Sequence, residues 1–243
     1  LVSHENGKVV DEARASVLKG IECLEFGASI PNRTLGEQLE VSRGVNCSET
    51  HEPLGVVAGI TPFNFPIMVP MWMMPQALVG GNAFILKPSE QVPLGAVKLA
   101  VLLEEAGLPR GVFSVVNGGA DTVNALCDHE DIKAIAFVGS TKIARHVYSR
   151  ASAAGKQALC LGGAKNHLMV VPDADPRLTA ENVVASFTGC AGQRCMAASV
   201  LLAVGDVQGI VDRIATRAGE LVMGKDVGAI NSKMQLERIK ELV

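Results

Sequence analysis

Aromatic residues are scarce in this sequence, and basic residues form no block. Aromatics make up 4% of the 243 residues, whereas hydrophobic residues as a whole make up 48%. The core must therefore be built from Val, Ile, Leu, Ala and Met, as in buried parallel strands and the helices that cover them. The first expectation is an α/β fold.

Several classes of protein are disfavoured by what is missing. The net charge of -3, without a lysine or arginine cluster, gives a polyanion little to bind, so no nucleic-acid partner is expected. The longest apolar stretch, residues 63–81, contains Pro66, Pro70 and Pro75, and is therefore poorly suited to cross a membrane. The five histidines lack ligand spacing, and neither His-Glu-x-x-His nor Cys-x-x-Cys occurs, so no metal site is expected.

Cysteine usage and the N-terminus bear on location. The six cysteines are scattered without paired spacing, and no basic-then-apolar leader is visible, although the chain begins at Leu1 rather than Met. Reduced thiols and a cytoplasmic location are therefore predicted, or the mitochondrial matrix if the source is eukaryotic.

Apolar periodicity predicts two α/β domains, residues 1–161 and 162–243. A helix over 11–28 precedes an exposed hairpin over 34–52, which is predicted to pair with another subunit. Predicted strands at 56–60, 83–86, 112–116 and 134–138 alternate with helices at 66–79, 94–106, 122–127 and 141–151. This alternation predicts a doubly wound parallel sheet, which binds ligands at the carboxyl ends of its strands.

The second domain is predicted to repeat the alternation and to stop within an element. Its strands are predicted at 167–171 and 199–204, and its helices at 178–187 and 207–221, with a further helix starting at 236–243. An ending in mid-element leads to the expectation that the sequence is an internal piece of a longer protein.

Polar residues follow three of the predicted strands. Lys87 and Glu90 could hydrogen-bond a ribose, or form a solvated turn. Gly139 and Ser140 open a helix whose free amides suit a phosphate, although a helix cap without ligand is the commoner explanation. Asn64 could donate to an oxyanion in a dry cleft, or cap the helix that follows.

Cys195 is the candidate nucleophile. It lies in a run of small residues and next to Arg194, a cation that would favour a thiolate. Taken alone, the motif fits equally well a small buried hydrophobe, the usual fate of a free cysteine.

Four motifs, in a fixed order along the chain, resemble those of a known family and favour the nucleophile interpretation of Cys195. Residues 62–66 (Pro-Phe-Asn-Phe-Pro), 87–90 (Lys-Pro-Ser-Glu), 137–141 (Phe-Val-Gly-Ser-Thr) and 192–195 (Gly-Gln-Arg-Cys) resemble the aldehyde dehydrogenase superfamily. The likeness covers essentially the whole chain. Residues 163–167, 171–175 and 192–197 further resemble the CoA-acylating malonate- and methylmalonate-semialdehyde dehydrogenases.

The resemblance implies a Rossmann-like NAD-binding domain, N-terminally incomplete, followed by part of a catalytic domain. It implies NAD as oxidant, coenzyme A as acyl acceptor, and a homodimer or homotetramer of the full-length protein. Cys195 would be the nucleophile, with the Asn64 amide and its own backbone amide holding the oxyanion. The implied NAD-binding residues are Phe63, Lys87, Ser89, Glu90, Gly139 and Ser140. Arg194 and Lys19 are the implied contacts for the substrate carboxylate.

One family residue is missing from this sequence. Hydrolytic members carry Glu-Leu-Gly-Gly-Lys, whose glutamate activates water. In the segment 159–165, Cys160 or Leu161 takes that place, depending on the register. Hydrolysis of the acyl-enzyme is therefore expected to be slow, so that the acyl-enzyme persists until coenzyme A binds.

Three alternatives stay open: a hydrolytic semialdehyde dehydrogenase with its base elsewhere, a Cys-His acyltransferase or hydrolase pairing Cys195 with His167, and a non-catalytic binding module.

Overall fold

The computed structural model describes residues 1–33 and 36–241. Within them the helices are α1 (Val2–Asn6), α2 (Val10–Ser29), α3 (Met68–Val79), α4 (Pro93–Glu105), α5 (Ala120–Asp128), α6 (Thr141–Ala153), α7 (Pro176–Thr188), α8 (Gln208–Gly219) and α9 (Lys233–Lys240). The strands are β1 (Glu37–Ser42), β2 (Val45–Glu49), β3 (Val56–Ile60), β4 (Ala83–Lys87), β5 (Phe113–Val115), β6 (Ile132–Val138), β7 (Gln157–Leu161), β8 (Asn166–Val170) and β9 (Ala198–Ala203). The chain divides into two compact units, residues 16–162 and residues 1–15 with 163–243.

The unit of residues 16–162 is built on a parallel sheet with strand order β5-β4-β3-β6-β7. The chain runs outward from β3 through β4 to β5, then returns to the other side of β3 to form β6 and β7. Such a reversal opens a crevice beyond the carboxyl ends of the two central strands. The predicted doubly wound α/β sheet is confirmed.

Alternating side chains cover both faces of this sheet. On β4, Phe84 and Leu86 are buried against α3 and α4, whereas Ile85 packs on the cluster formed with α5 and α6. The helices α3 and α6 therefore lie on opposite faces, and each face has an apolar core.

Strand β7 was not predicted. Leu159 and Leu161 are largely exposed, while Cys160 between them packs against the α5 and α6 core. An edge strand with one exposed apolar face gives no clear hydrophobic alternation, which is why the pattern missed it.

The predicted hairpin over 34–52 is present as β1 paired antiparallel with β2, and both strands are exposed along their length. Thr34 and Leu35 lie outside the described residues. The predicted role of this hairpin in subunit pairing stays a prediction.

The other unit contains the parallel pair β8 and β9, whose buried side chains pack with those of α7 and α8. Helix α7 starts sharply because the Asp175 carboxylate accepts a hydrogen bond from the Leu178 amide at 2.7 Å, and Pro176 occupies its first turn. The helix predicted at 236–243 begins earlier, at Lys233, and Leu242 and Val243 lie outside the described residues.

The observed division differs from the predicted one at the N-terminus. Residues 1–15 group with 163–243 instead of with the parallel sheet, so the boundary falls inside α2. The reason is long-range bonding: the Ala229 amide donates to the Gly7 carbonyl at 2.9 Å, and the Cys190 amide donates to Glu12 at 2.8 Å. Helical periodicity within α2 carries no information about such contacts.

Candidate active site

A cavity of about 290 Å³ lies where the strand order reverses. Its lining includes the ends of β3, β4 and β6 and one face each of α5 and α6. The predicted residues Lys87, Ser89, Glu90, Gly139 and Ser140 all line it, so the fold brings together two motifs about fifty positions apart in the chain. This is the crevice in which doubly wound sheets bind nucleotides.

Lys87 and Glu90 form an ion pair at the rim. The Lys87 Nζ atom lies 3.3 Å from Glu90 Oε2, and the two side chains are 5% and 60% exposed. The ammonium is therefore held inside the cavity wall, while the carboxylate reaches solvent. One donor and one acceptor side by side match the two hydroxyls of a ribose, which can both donate and accept.

Gly139 and Ser140 form the second wall. A Cβ atom on Gly139 would lie 2.6 Å from the Phe137 ring, so a side chain there would force the ring to move. Ser140 is the N-cap residue of α6, yet its side chain makes no capping hydrogen bond. The alternative that Ser140 serves as an ordinary side-chain cap is therefore not supported, and the α6 start offers its amides to an anion.

The helical wall of the cavity was not predicted from the sequence. The Nε2 atom of His146 on α6 lies 2.8 Å from Oδ1 of Asn124 on α5, and both residues line the cavity. Thr61, at the end of β3, is buried, and its Oγ1 makes no hydrogen bond within the described residues. Ala120, Val123 and Asn124 are spaced as on one face of a helix, and this spacing was the sequence feature that could have indicated the helical wall.

Asn64 and Phe63 lie in the bend between β3 and α3, and both are half-buried. Phe63 is not among the described residues that line the cavity. The N-cap of α3 is Ile67, so Asn64 is not the N-cap residue of this helix.

Cys195 lies in a turn of the unit formed by residues 1–15 and 163–243. The Ala197 amide donates to the Arg194 carbonyl at 3.1 Å and closes this turn. Asn166, at the start of β8, donates from Nδ2 to the Cys195 carbonyl at 2.6 Å and to the Ala197 carbonyl at 3.0 Å. Cys195 is half-buried. Its own carbonyl and the carbonyls of Arg194 and Ala197 all accept hydrogen bonds.

Arg194 and Lys19, the predicted substrate-carboxylate contacts, belong to different units. The Arg194 side chain folds over Gly189, where its Nη1 atom is 2.9 Å from the position that a Cβ would occupy. Lys19 is exposed and donates to Glu22 at 2.7 Å, a hydrogen bond that raises the pKa of the Lys19 ammonium.

The position of the missing glutamate lies at the end of β7. Cys160 faces the helices α5 and α6, and burial raises the pKa of its thiol. Leu161 faces the other side of the sheet and is exposed. Neither register puts a carboxylate here.

No helix among the described residues is long and apolar enough to cross a membrane. In the same part of the chain, no group of three or more His, Cys, Asp and Glu side chains is arranged to hold a metal ion.

The model of the aldehyde dehydrogenase family matches residues 1–243. The chain therefore belongs to the aldehyde dehydrogenase family, as the four motifs predicted.

The curated relatives to which the chain is similar include malonate-semialdehyde dehydrogenases. The chain is 52% identical over 225 residues to malonate-semialdehyde dehydrogenase 1 of Geobacillus kaustophilus (strain HTA426), covering 92% of this chain and 46% of that protein. It is 45% identical over 229 residues to the malonate-semialdehyde dehydrogenase of Bacillus pumilus (strain SAFR-032), covering 93% and 47%.

A crystal structure provisionally assigned to methylmalonate-semialdehyde dehydrogenase from Sinorhizobium meliloti 1021, complexed with NAD, superposes with a TM-score of 0.96. It is 43% identical, and the match covers 99% of this chain and 51% of that one. The chain thus spans about half the length of the relatives it matches.

Proposed function

We propose that the protein containing these residues uses NAD to oxidise malonate semialdehyde or methylmalonate semialdehyde through a thioester on Cys195. The acyl group then passes to coenzyme A with loss of the substrate carboxylate as carbon dioxide, giving acetyl-CoA or propionyl-CoA. The observation that carries the proposal is the cavity at the strand reversal, lined by the predicted nucleotide-binding residues, in a chain 52% identical to a malonate-semialdehyde dehydrogenase.

NAD fits this cavity by the chemistry of its walls. Lys87 and Glu90 would hold the ribose diol, and the α6 amides beginning at Ser140 would hold the pyrophosphate. Buried Thr61 Oγ1, which makes no hydrogen bond within the described residues, is a further polar group for a ligand. The Glu90 carboxylate would repel a ribose phosphate, which favours NAD over NADP.

The chemistry that NAD supplies when bound is acceptance of a hydride from the substrate. The Cys195 thiolate adds to the aldehyde carbon, and the carbonyl electron pair moves to oxygen to give a thiohemiacetal oxyanion. Loss of hydride from that carbon as the C=O bond re-forms leaves a thioester on Cys195. The family resemblance gives Asn64 the role of oxyanion donor, and that role stays a prediction.

The lack of a carboxylate at Cys160 or Leu161 supports acyl transfer to a thiol. Without a general base there, water attacks the thioester slowly. The thiolate of coenzyme A is the better nucleophile: it adds to the thioester carbon and expels the Cys195 thiolate, so one thioester is exchanged for another.

The test uses the full-length protein and measures NADH formation from malonate semialdehyde with and without coenzyme A, with product analysis. We expect turnover to depend on coenzyme A and to yield acetyl-CoA. Robust turnover to a free acid without the thiol would instead support the hydrolytic alternative. Thioester cleavage without NAD that is lost in His167→Ala would support the Cys-His alternative.

A further inference from the structure

The backbone ahead of Cys195 passes through three consecutive left-handed residues. The φ and ψ angles are 55° and 35° at Cys190 and 52° and 40° at Ala191, and Gly192 follows with φ 74°. Glycine adopts this conformation readily, but cysteine and alanine pay a steric penalty because of their Cβ atoms. Two such residues in succession persist only if surrounding groups hold them.

Hydrogen bonds to the backbone carbonyl and the backbone N–H of Cys190 hold the turn of residues 190–192. The Cys190 carbonyl accepts from the backbone amide and from the side-chain amide of Gln193, each at 3.0 Å. Its N–H donates to Glu12 Oε1 at 2.8 Å. Gln193 is a neighbour in sequence, whereas Glu12 comes from the first turn of α2.

A buried lysine interacts electrostatically with Glu12. Lys8 is 4% exposed and interacts electrostatically with both the Glu12 carboxylate and the Cys190 thiol. Burial lowers the pKa of Lys8 and raises that of Cys190, because both charged forms are poorly solvated there. The turn therefore rests on a small polar cluster contributed by the first fifteen residues.

We propose that Glu12 is a positioning residue for Cys195: its carboxylate holds the left-handed turn 190–192 and so sets where the chain enters the thiol-bearing turn. Asn166 fixes the other end through the Cys195 and Ala197 carbonyls. The inference rests on the proposed function, because it takes Cys195 as the nucleophile.

The experiment measures the alkylation rate of Cys195 by iodoacetamide in the full-length protein, without NAD or aldehyde. Trypsin cleaves after Arg194, so Cys190 and Cys195 fall on different peptides, residues 178–194 and 195–213, and mass spectrometry follows them separately. Glu12→Met removes the acceptor and keeps the volume, whereas Glu12→Gln keeps an acceptor oxygen. Asp11→Met is the matched control, since Asp11 is the exposed neighbour in the same helical turn.

We expect Glu12→Met to slow Cys195 alkylation by about tenfold, the effect of losing one hydrogen bond to a charged group. Glu12→Gln and Asp11→Met should stay within about threefold of the parent. Adding Ala191→Gly to Glu12→Met should restore most of the rate, because glycine needs no help to adopt the left-handed conformation. In steady-state kinetics, Glu12→Met should lower kcat and leave the KM for NAD unchanged.

An unchanged rate in Glu12→Met would overturn the proposal, as would a slow double variant, which would indicate a general loss of structure. If Glu12→Met does not fold, a tenfold slowing in Glu12→Gln would overturn it, and a near-parental rate would support it. A parent protein without NAD-dependent turnover refutes the proposed function alone, since the alkylation comparison needs no turnover.

Discussion

Replacing Lys87 by Met tests whether the cavity at the strand reversal binds NAD. The Lys87 side chain is 5% exposed and lines the cavity, and its Nζ atom lies 3.3 Å from Glu90 Oε2. A hydrogen bond from a charged donor is typically worth about 1.5–3 kcal/mol. The dissociation constant for NAD should therefore rise about 10- to 150-fold, since each 1.4 kcal/mol is roughly a factor of ten.

The fold should tolerate this substitution, so that the change in affinity can be interpreted. Met keeps the apolar stem, and the released Glu90 carboxylate is already 60% exposed, so the lost ion pair contributes less than about 1 kcal/mol. The assay is calorimetric titration of the full-length protein with NAD, alongside a thermal melt of each variant.

Lys98→Met is the matched control, because Lys98 is an exposed lysine of α4 that pairs with Glu105 at 4.0 Å and does not line the cavity. Its affinity for NAD should equal that of the parent. NAD binding within twofold of the parent in a folded Lys87→Met variant would refute the assignment of this cavity.

Three further substitutions test individual contacts. Thr61→Val should raise the Tm of the NAD-free protein, with a gain of about 1 kcal/mol, because it removes a buried hydroxyl that makes no hydrogen bond within the described residues; a lower Tm would contradict this. Asn166→Ala should lower the free energy of unfolding in urea by about 1–3 kcal/mol, since it removes the hydrogen bonds to the Cys195 and Ala197 carbonyls; an unchanged midpoint would show that these bonds do not hold the turn. Hydrogen bonds from Arg150 lower the pKa of Asp128, so their stabilisation is complete above the usual value of 3.8 and is lost as the pH falls below it. Asp128→Asn should lack this part of the acid sensitivity in pH-dependent thermal melts, and parallel curves for parent and variant would contradict the linkage.

Local pattern was sufficient for β3, β4 and β6, the strands whose ends line the cavity. Strand β3 coincides with the predicted 56–60, and the ends of the helices in this unit differ from prediction by at most two residues. Because parallel strands put their carboxyl ends at one edge of the sheet, Lys87 and Ser140 could be expected in one cavity from the sequence alone.

Local pattern failed where packing between distant elements decides the outcome. His146 and Asn124 come from two helices, and their 2.8 Å contact depends on how α5 packs on α6. Glu12 and Cys190 are in contact although 178 positions separate them in the chain, and hydrophobic periodicity gives no information about contacts at such a separation. Strand β7 was missed because its exposed leucines do not mark a core face.

The family motifs identified Cys195, Asn64 and Arg194 as candidate site residues, but no pattern in the sequence indicated what holds the Cys195 turn. Asn166 lies within the family-like segment 163–167, and its two hydrogen bonds explain why an amide is needed at the start of β8. An amide donates two hydrogens from one nitrogen, which matches two carbonyls in one turn.

The most direct test is to trap the acyl group on the enzyme. The full-length protein is incubated with NAD and malonate semialdehyde in the absence of coenzyme A, quenched in acid and digested with trypsin. The acyl mass should appear on the peptide of residues 195–213 and disappear when coenzyme A is added before the quench. An acyl group on any other peptide, or turnover in a Cys195→Ser variant, would contradict the account.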